Sequence, residues 1–314
     1  MEHSKISDLN RTGQSLIEPG QLDRMLEYAH RWGVVVDSKL ETESAVIAFG
    51  SRDVGVCESQ PVVLKVIKRE GDEWHSGKSL RAFAGKGTVR VYEHMPGAVL
   101  MERLRPGHSL AGMSSTGDDE QAIEVLAGVI EQMSLTPNPA SAWPGVVTVW
   151  DWAKGFDRYL AMGDARVPKQ LVESARQLYL ELCGSQHEPR LLHGDLHHYN
   201  VLFDSGRGWL ALDAKGVVGE VEYEIGAILR NPIEQPDLFA SRVNIEKRIS
   251  GFTERLGLDH ERVLAWAFAQ AVLSAIWDVE DGFPVDAMNP ALRLAGVLQP
   301  MLRRMALPPS PSRR

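Results

Sequence analysis

LLHGDLHHYNVLFDSGRGWLALD, residues 191–213, is the stretch on which the reading of this chain turns. Its apolar runs end at Leu192, Phe203 and Leu212, and Asp204-Ser205-Gly206-Arg207-Gly208 between the last two has the composition of a turn. The pattern predicts a short strand, a loop and then a β-hairpin. Asp195 falls on the loop, Asn200 opens the hairpin, and Asp213 closes it, 18 residues after Asp195. A carboxylate at the end of the returning strand meets Asn200 across the hairpin. An amide oxygen and a carboxylate so placed suit one hard cation that keeps water and phosphate ligands. Asp195 itself is carried on a loop held by a rigid scaffold, where a carboxylate can orient a hydroxyl and take its proton.

Those three roles are the ones phosphoryl transfer from ATP requires. His193-Gly194-Asp195-x-x-x-x-Asn200 keeps the spacing of the H-R-D-x-x-x-x-N loop of protein kinases, with Gly in place of Arg. Asp213 stands where those enzymes carry their second metal-binding acid. A strand lysine for the phosphates and a helix acid to hold it are expected upstream. Pro61-Val62-Val63-Leu64-Lys65-Val66 offers Lys65 on an alternating strand, and Glu73 begins the next predicted helix, with Lys68 and Glu70 as rivals. A small-molecule kinase using ATP and Mg²⁺ is the expectation. The alternative from another class is a catalytically silent kinase fold used for binding.

Around this centre the chain reads as α+β and bilobal. The first ~100 residues alternate β-branched runs (Val34–Val36, Ala45–Phe49, Val62–Ile67, Val89–Tyr92, Ala98–Leu104) with a helix over Leu22–Ala29 that Gly33 ends and another over 72–84. This makes a small N-terminal antiparallel-sheet lobe, residues 1–104. Arg105-Pro106-Gly107 continues neither strand nor helix and marks the boundary. Residues 105–306 form a larger, mainly helical lobe. Ala122, Val125, Leu126, Val129, Ile130 and Met133 recur at helical spacing, Leu171, Leu178 and Leu182 mark another helix, and four more helical segments occupy roughly 221–304. The Pro- and Ser-rich end, 307–314, reads as a disordered tail.

Composition limits the function. The 314 residues carry 34 Lys and Arg against 42 Asp and Glu, a net charge of −8, which disfavours nucleic acid as a partner. Two cysteines, Cys57 and Cys183, form no framework, so a reducing cytoplasm is expected. The polar start, MEHSKISDLNRTGQ, has no apolar core of a secretory signal. The longest nearly apolar stretch, Val263–Trp277, holds 15 residues and is too short to span a bilayer, so no membrane role is expected. Nothing in the chain fixes whether it is a monomer or a dimer.

Two look-alikes fail on spacing. Gly71 to Gly77-Lys78-Ser79 imitates a Walker A loop but has five residues between its glycines where four are needed. Gly194-Asp195-Leu196-His197 imitates part of a metallophosphoesterase, whose second cluster has no counterpart here. His193 and His197 are four apart, but Gly194 between them argues against the helix that would pair them on a metal.

The chain resembles the aminoglycoside and hydroxyurea phosphotransferases, and within them those acting on streptomycin. The resembling stretches are DEWHSGKSLRAFAGKGTVRVYEH (72–94), MERLRPGHSL (101–110), LLHGDLHHYNVLF (191–203), GWLALDAKGVVGEVEYEIGAILRNP (208–232) and LSAIWDVEDG (273–282). The resemblance implies a protein-kinase-like fold with ATP held near Met101, Glu102, Arg103 and Leu104. It also implies Asp195 as catalytic base, Asn200 and Asp213 on Mg²⁺, and Lys65 on the phosphates. The acceptor would be a small hydroxylated and cationic molecule, an aminoglycoside of the streptomycin type or else hydroxyurea or a metabolite. Glu220, Glu224, Trp277, Asp278 and Asp281 are the candidates to face it. The family's usual Asp-Pro-Lys-Gly is Asp213-Ala214-Lys215-Gly216 here, which loses no ligand. The turn near Glu41–Ser44, where a loop over the phosphates belongs, has no glycine.

Overall fold

Alternation in PVVLKV dictates the architecture of the N-terminal region, because side chains two apart along a strand share a face. In the computed structural model, which describes residues 19–55, 58–134 and 146–305, that segment lies in β3 (Glu58–Ile67). It sits at the centre of an antiparallel sheet of order β1-β2-β3-β5-β4, with β1 (Val34–Glu41), β2 (Ala45–Gly55), β4 (Val91–Met95) and β5 (Ala98–Glu102). Val62, Leu64 and Val66 are fully buried against Met25 and Ala29 of helix α1 (Pro19–Arg31), together with Val46, Ala48 and Leu100. Lys65 is thereby set on the opposite face. Gly33 ends α1 in the left-handed region, as expected.

Among the described residues the chain divides into two compact units. The first contains residues up to Gly112, those from Gly128 to 134, and Tyr199–Gly216; the second contains Met113–Ala127, 146 to His198, and those from Val217 onward. Within the first, α2 (Ser76–Ala82) packs on β4 and β5. A second sheet joins β6 (Pro106–Ser109) to the hairpin of β8 (Val201–Asp204) and β9 (Gly208–Ala211). The hairpin turn is held by Asp204 Oδ1, which accepts the backbone N–H of Gly206 at 2.9 Å and of Arg207 at 3.0 Å. Asp204 Oδ2 accepts from Arg105 N at 2.9 Å, which ties the start of β6 to the same turn.

The second unit is mainly helical. β7 (Arg190–Leu192) pairs with β10 (Val217–Gly219), and the helices are α5 (Val149–Trp152), α6 (Lys154–Met162), α7 (Lys169–Gly184), α8 (Ile225–Leu229), α9 (Pro236–Ala240), α10 (Arg242–Leu256), α11 (His260–Glu280) and α12 (Pro290–Met305). Two more, α3 (Ala111–Ser115) and α4 (Asp119–Ser134), contribute residues to both units. The central helix α11 packs against α7, α8 and α12. Asp259 caps it, accepting the N–H of Arg262 at 2.7 Å.

Several sequence expectations need correction. Residues 106–109 form a strand rather than a break, because an edge strand tolerates a proline that has no N–H to give. The helix expected over 72–84 is confined to α2, and Glu73 lies in the turn before it. Five α-helices and a 3₁₀ turn, not four helical segments, follow residue 220 among the described residues. The apolar stretch at 263–277 belongs to a 21-residue helix, long and apolar enough to cross a membrane, yet 83% of its most apolar window is buried inside the protein. The polar start and the tail 307–314 lie outside the described residues.

The sheet's dependence on the α1 face is testable. Leu64→Ala removes a fully buried side chain and should cost about 2–5 kcal/mol in denaturant unfolding. A loss under about 1 kcal/mol would mean that this face is not packed as described.

Candidate active site

Lys65 is 4% exposed and makes two ion pairs. Its Nζ is 2.7 Å from Glu73 Oε2 and 2.9 Å from Asp213 Oδ1. Burial lowers the pKa of the ammonium, but the charges of Asp213 and Glu73 outweigh it and raise the pKa above the ordinary lysine value. The group is a fixed cation. Glu73 reaches it from the turn before α2, close to the strand, so losing its place in the helix does not cost it the partner.

Asp213 is positioned by the hairpin. Register pairs Val201 with Ala211, and Leu212 N donates to Asn200 O at 2.9 Å, so Asn200 and Asp213 come from adjacent levels of the ribbon. Asp213 adopts φ 62°, a left-handed turn out of the strand. Its Oδ1 is buried and, although an ion-pair partner of Lys65, makes no hydrogen bond of proper geometry. A carboxylate oxygen with lone pairs to spare and an amide oxygen form a hard donor set. That set fits Mg²⁺, which takes one or two protein oxygens and completes its shell with water and phosphate. No group of three His, Cys, Asp or Glu suited to a metal occurs among the described residues.

The segment near which ATP is expected, 101–104, begins in the last two residues of β5. Met101 is buried and Glu102 is not available as a side chain: it accepts the backbone N–H of Arg90 at 2.7 Å and pairs with the guanidinium of Arg207. Arg103 stacks over Phe49, 5.0 Å from the ring centre. The backbone is engaged too: the Glu102 N–H donates to Arg90 O at 3.0 Å and the Arg103 N–H to Pro61 O at 3.4 Å.

Asp195 belongs to the other unit, three residues after β7, and is 8% exposed. Gly194 before it has φ 83°, and a Cβ there would lie 2.9 Å from Val217 and 3.0 Å from Trp152. That crowding explains glycine where protein kinases carry arginine. The Gly194 N–H donates to both oxygens of Glu224, at 3.2 and 3.1 Å. Burial pushes the Glu224 carboxyl up to about 8, against the lowering effect of the Gly194 and His193 backbone donors, and the charge of Asp195 adds to the rise. Asp195 Oδ1 lies 3.5 Å from Nη2 of Arg230, and Oδ2 lies 3.7 Å from Nε2 of the buried His197.

The acceptor candidates divide. Glu220 is fully buried; its carboxylate receives Arg262 and the Trp266 indole, and the His187 N–H at 2.9 Å, so it cannot face a ligand. Glu224 is likewise buried beneath the loop. Both were expected to face the acceptor, and neither does, because unpartnered acids in a helical core would be too costly. Trp277 is half-buried with its edge to Trp152 at 5.4 Å, Asp278 accepts from Asn289 Nδ2 at 2.7 Å, and Asp281 follows the end of α11 at the surface. Sequence reasoning missed Arg230 altogether. No local signal marks it, since it stands 35 residues beyond Asp195 in an apolar segment.

The model of the aminoglycoside/hydroxyurea antibiotic resistance kinase family matches residues 31–282. The chain belongs to this family. A streptomycin 3''-kinase of Klebsiella pneumoniae is 32% identical over 257 residues, covering 80% of this chain and 91% of its own. A streptomycin 6-kinase of Streptomyces glaucescens is 31% identical over 282 residues, 87% of this chain and 86% of its own, and a hydroxyurea phosphotransferase of Kitasatospora aureofaciens is 29% identical over 280, with 86% and 76%. Among solved structures, the aminoglycoside phosphotransferase APH(4)-Ia is 17% identical with a TM-score of 0.59, over 91% of this chain and 99% of its own. The choline kinase LicA of Streptococcus pneumoniae is 13% identical at the same TM-score of 0.59, over 90% of this chain and 100% of its own. These likenesses establish the protein-kinase-like α+β fold of this aminoglycoside/hydroxyurea kinase.

Glu224 provides a pH test. The unfolded carboxyl releases its proton near 4.5 and the folded one near 8, so between those values the folded state holds more protons. Stability should therefore fall as pH rises through this window, by a few kcal/mol at most. Glu224→Gln, whose amide oxygen still accepts the Gly194 N–H, should remove this component. Melting temperatures measured from pH 4.5 to 8 should show the variant gaining on the parent protein towards high pH; parallel curves would contradict it.

Proposed function

We propose that this kinase transfers the γ-phosphate of ATP to a hydroxyl of a small cationic acceptor of the streptomycin type. The observation that carries the reading is Lys65, buried and charged between Glu73 and Asp213. In this reading Lys65 binds the phosphates, and ATP lies near the segment 101–104. Asn200 and Asp213 hold Mg²⁺, which would neutralise charge on the triphosphate when bound. The residues up to 104 form the nucleotide-binding lobe, and those of 105–306 carry the catalytic loop and the acceptor site. The streptomycin kinases, similar over 80% and 87% of this chain, favour that acceptor class, and the acids Asp278 and Asp281 with Trp277 suit a guanidinium or ammonium group. A cytoplasmic location accords with ATP as donor.

The chemistry needs little covalent participation by the protein. Asp195 accepts the acceptor's hydroxyl proton as that oxygen attacks the γ-phosphorus in line. The new O–P bond forms while the bond to the β-phosphate oxygen breaks, and ADP leaves with the pair. Catalysis then rests on alignment and on charge placed in advance.

The test is ATP consumption with streptomycin, other aminoglycosides, hydroxyurea and simple sugars in parallel. Streptomycin should be the best acceptor. Asp195→Ala should lower kcat by about 10²–10⁴, and Asp213→Ala by more. Turnover by Asp195→Ala within about a factor of two of the parent enzyme would sink the assignment. Hydroxyurea outperforming streptomycin would overturn the acceptor class and leave the chemistry standing.

A further inference from the structure

Arg230 lies just beyond α8, with its guanidinium beside Asp195. The backbone is clamped on both sides by one fully buried side chain: Arg248 donates through Nη1 to Leu229 O at 3.0 Å and through Nη2 to Asn231 O at 2.8 Å. Arg248 is itself neutralised by Asp119 at 3.1 Å. The Arg230 side chain is gripped separately, its Nη1 donating to Gln270 Oε1 at 3.3 Å. Gln270 is 2% exposed and is anchored by its Nε2 on Tyr223 O at 3.4 Å. Its amide reaches Arg230 by passing over Gly226, where any Cβ would stand 1.9 Å from Gln270 Oε1. A glycine, a buried amide and a buried ion pair thus converge on one half-hidden cation. Its Nη2 is left 3.5 Å from Asp195 Oδ1.

We propose that Arg230 is a positioning residue for Asp195, fixing the orientation of the base through Oδ1 and keeping it ionised. The proposal rests on Asp195 being the base, as argued above. The titratable and charged groups near this carboxylate include Arg230 from the end of α8, His197 from its own loop at 3.7 Å, His193, whose Nδ1 accepts the Asp195 N–H at 3.3 Å, and Glu224, which sits under Gly194. Arg230 is the permanent positive charge among them. A guanidinium beside a carboxylate favours the charged form, so the base remains a proton acceptor at lower pH than an aspartate next to Glu224 alone. With the carboxylate held, the acceptor's O–H proton passes to an oxygen already in place as the O–P bond forms.

The experiment is the pH profile of kcat/KM for the full-length enzyme, with ATP and streptomycin, for the parent and for Arg230→Gln and Arg230→Lys. In Arg230→Gln the acid limb should move up by about one pH unit or more, because the carboxylate loses its cation. At the pH optimum kcat should fall about tenfold or more while the KM for ATP changes less than about twofold. Arg230→Lys should bring the limb back towards the parent position. An unmoved limb in Arg230→Gln, or a loss expressed wholly in KM, would overturn the proposal. Should Arg230→Gln not fold, Gln270→Leu releases the same guanidinium and should shift the limb in the same direction by less; an unmoved limb there overturns it equally. Carbon-detected titration of the Asp195 carboxyl, assigned with Asp195→Asn, separates this from the functional reading. A raised Asp195 pKa in Arg230→Gln upholds the pairing even if no acceptor is phosphorylated, and an unchanged one rejects it.

Discussion

A lysine with almost no access to water must be paired, and the first unit is built around that requirement. Lys65 reaches the inner side of β3 only because Val62, Leu64 and Val66 claim the other face for the α1 core. There it meets one acid from the turn before α2 and another from the end of the β8–β9 ribbon, segments that lie far apart in the chain. Removing either partner would leave a buried charge half compensated, a loss of several kcal/mol in comparable cases. The same arrangement that stabilises the fold presents a fixed cation beside a hard oxygen. Structure and chemistry share the interaction.

The second unit repeats the logic with arginines. Arg248 is fully buried, and burial lowers its pKa, yet Asp119 and two backbone carbonyls hold it charged. Glu220 is buried just as deeply and is satisfied by Arg262, Trp266 and the chain at His187. Glu224 differs: with backbone donors and no cation, it is the acid that gives up its charge, which its raised pKa expresses. The buried acids and arginines of this unit are thus each paired, hydrogen-bonded or neutralised.

What could be read from the chain alone was whatever lay in local pattern. The β8–β9 hairpin followed from turn chemistry at 204–208, and Lys65 from period-two alternation. The glycine in place of arginine at 194 was visible, but its cause was not, since Val217 and Trp152 crowd it from distant positions. Pro106 misled because a breaker in the interior of a sheet is acceptable at its edge. Glu220 and Glu224 were expected to face the acceptor, and only tertiary packing turns them inward. Arg230 and Gln270 had no signature, because a contact made 35 or 40 residues away depends on helices whose packing no window of sequence contains. The acceptor's identity shares that limit, since helix ends and loop faces from several segments must be combined to shape a pocket.

The central claim is that the charged Lys65, set between Glu73 and Asp213, is there to receive a nucleotide's phosphates. Calorimetric titration of Mg²⁺-ATP into Lys65→Ala at neutral pH, with circular dichroism to verify the fold, addresses it most directly. The account predicts a folded protein whose affinity for the nucleotide drops by about tenfold or more, the loss of one charge-assisted phosphate contact. A folded variant that binds Mg²⁺-ATP as tightly as the parent would contradict it.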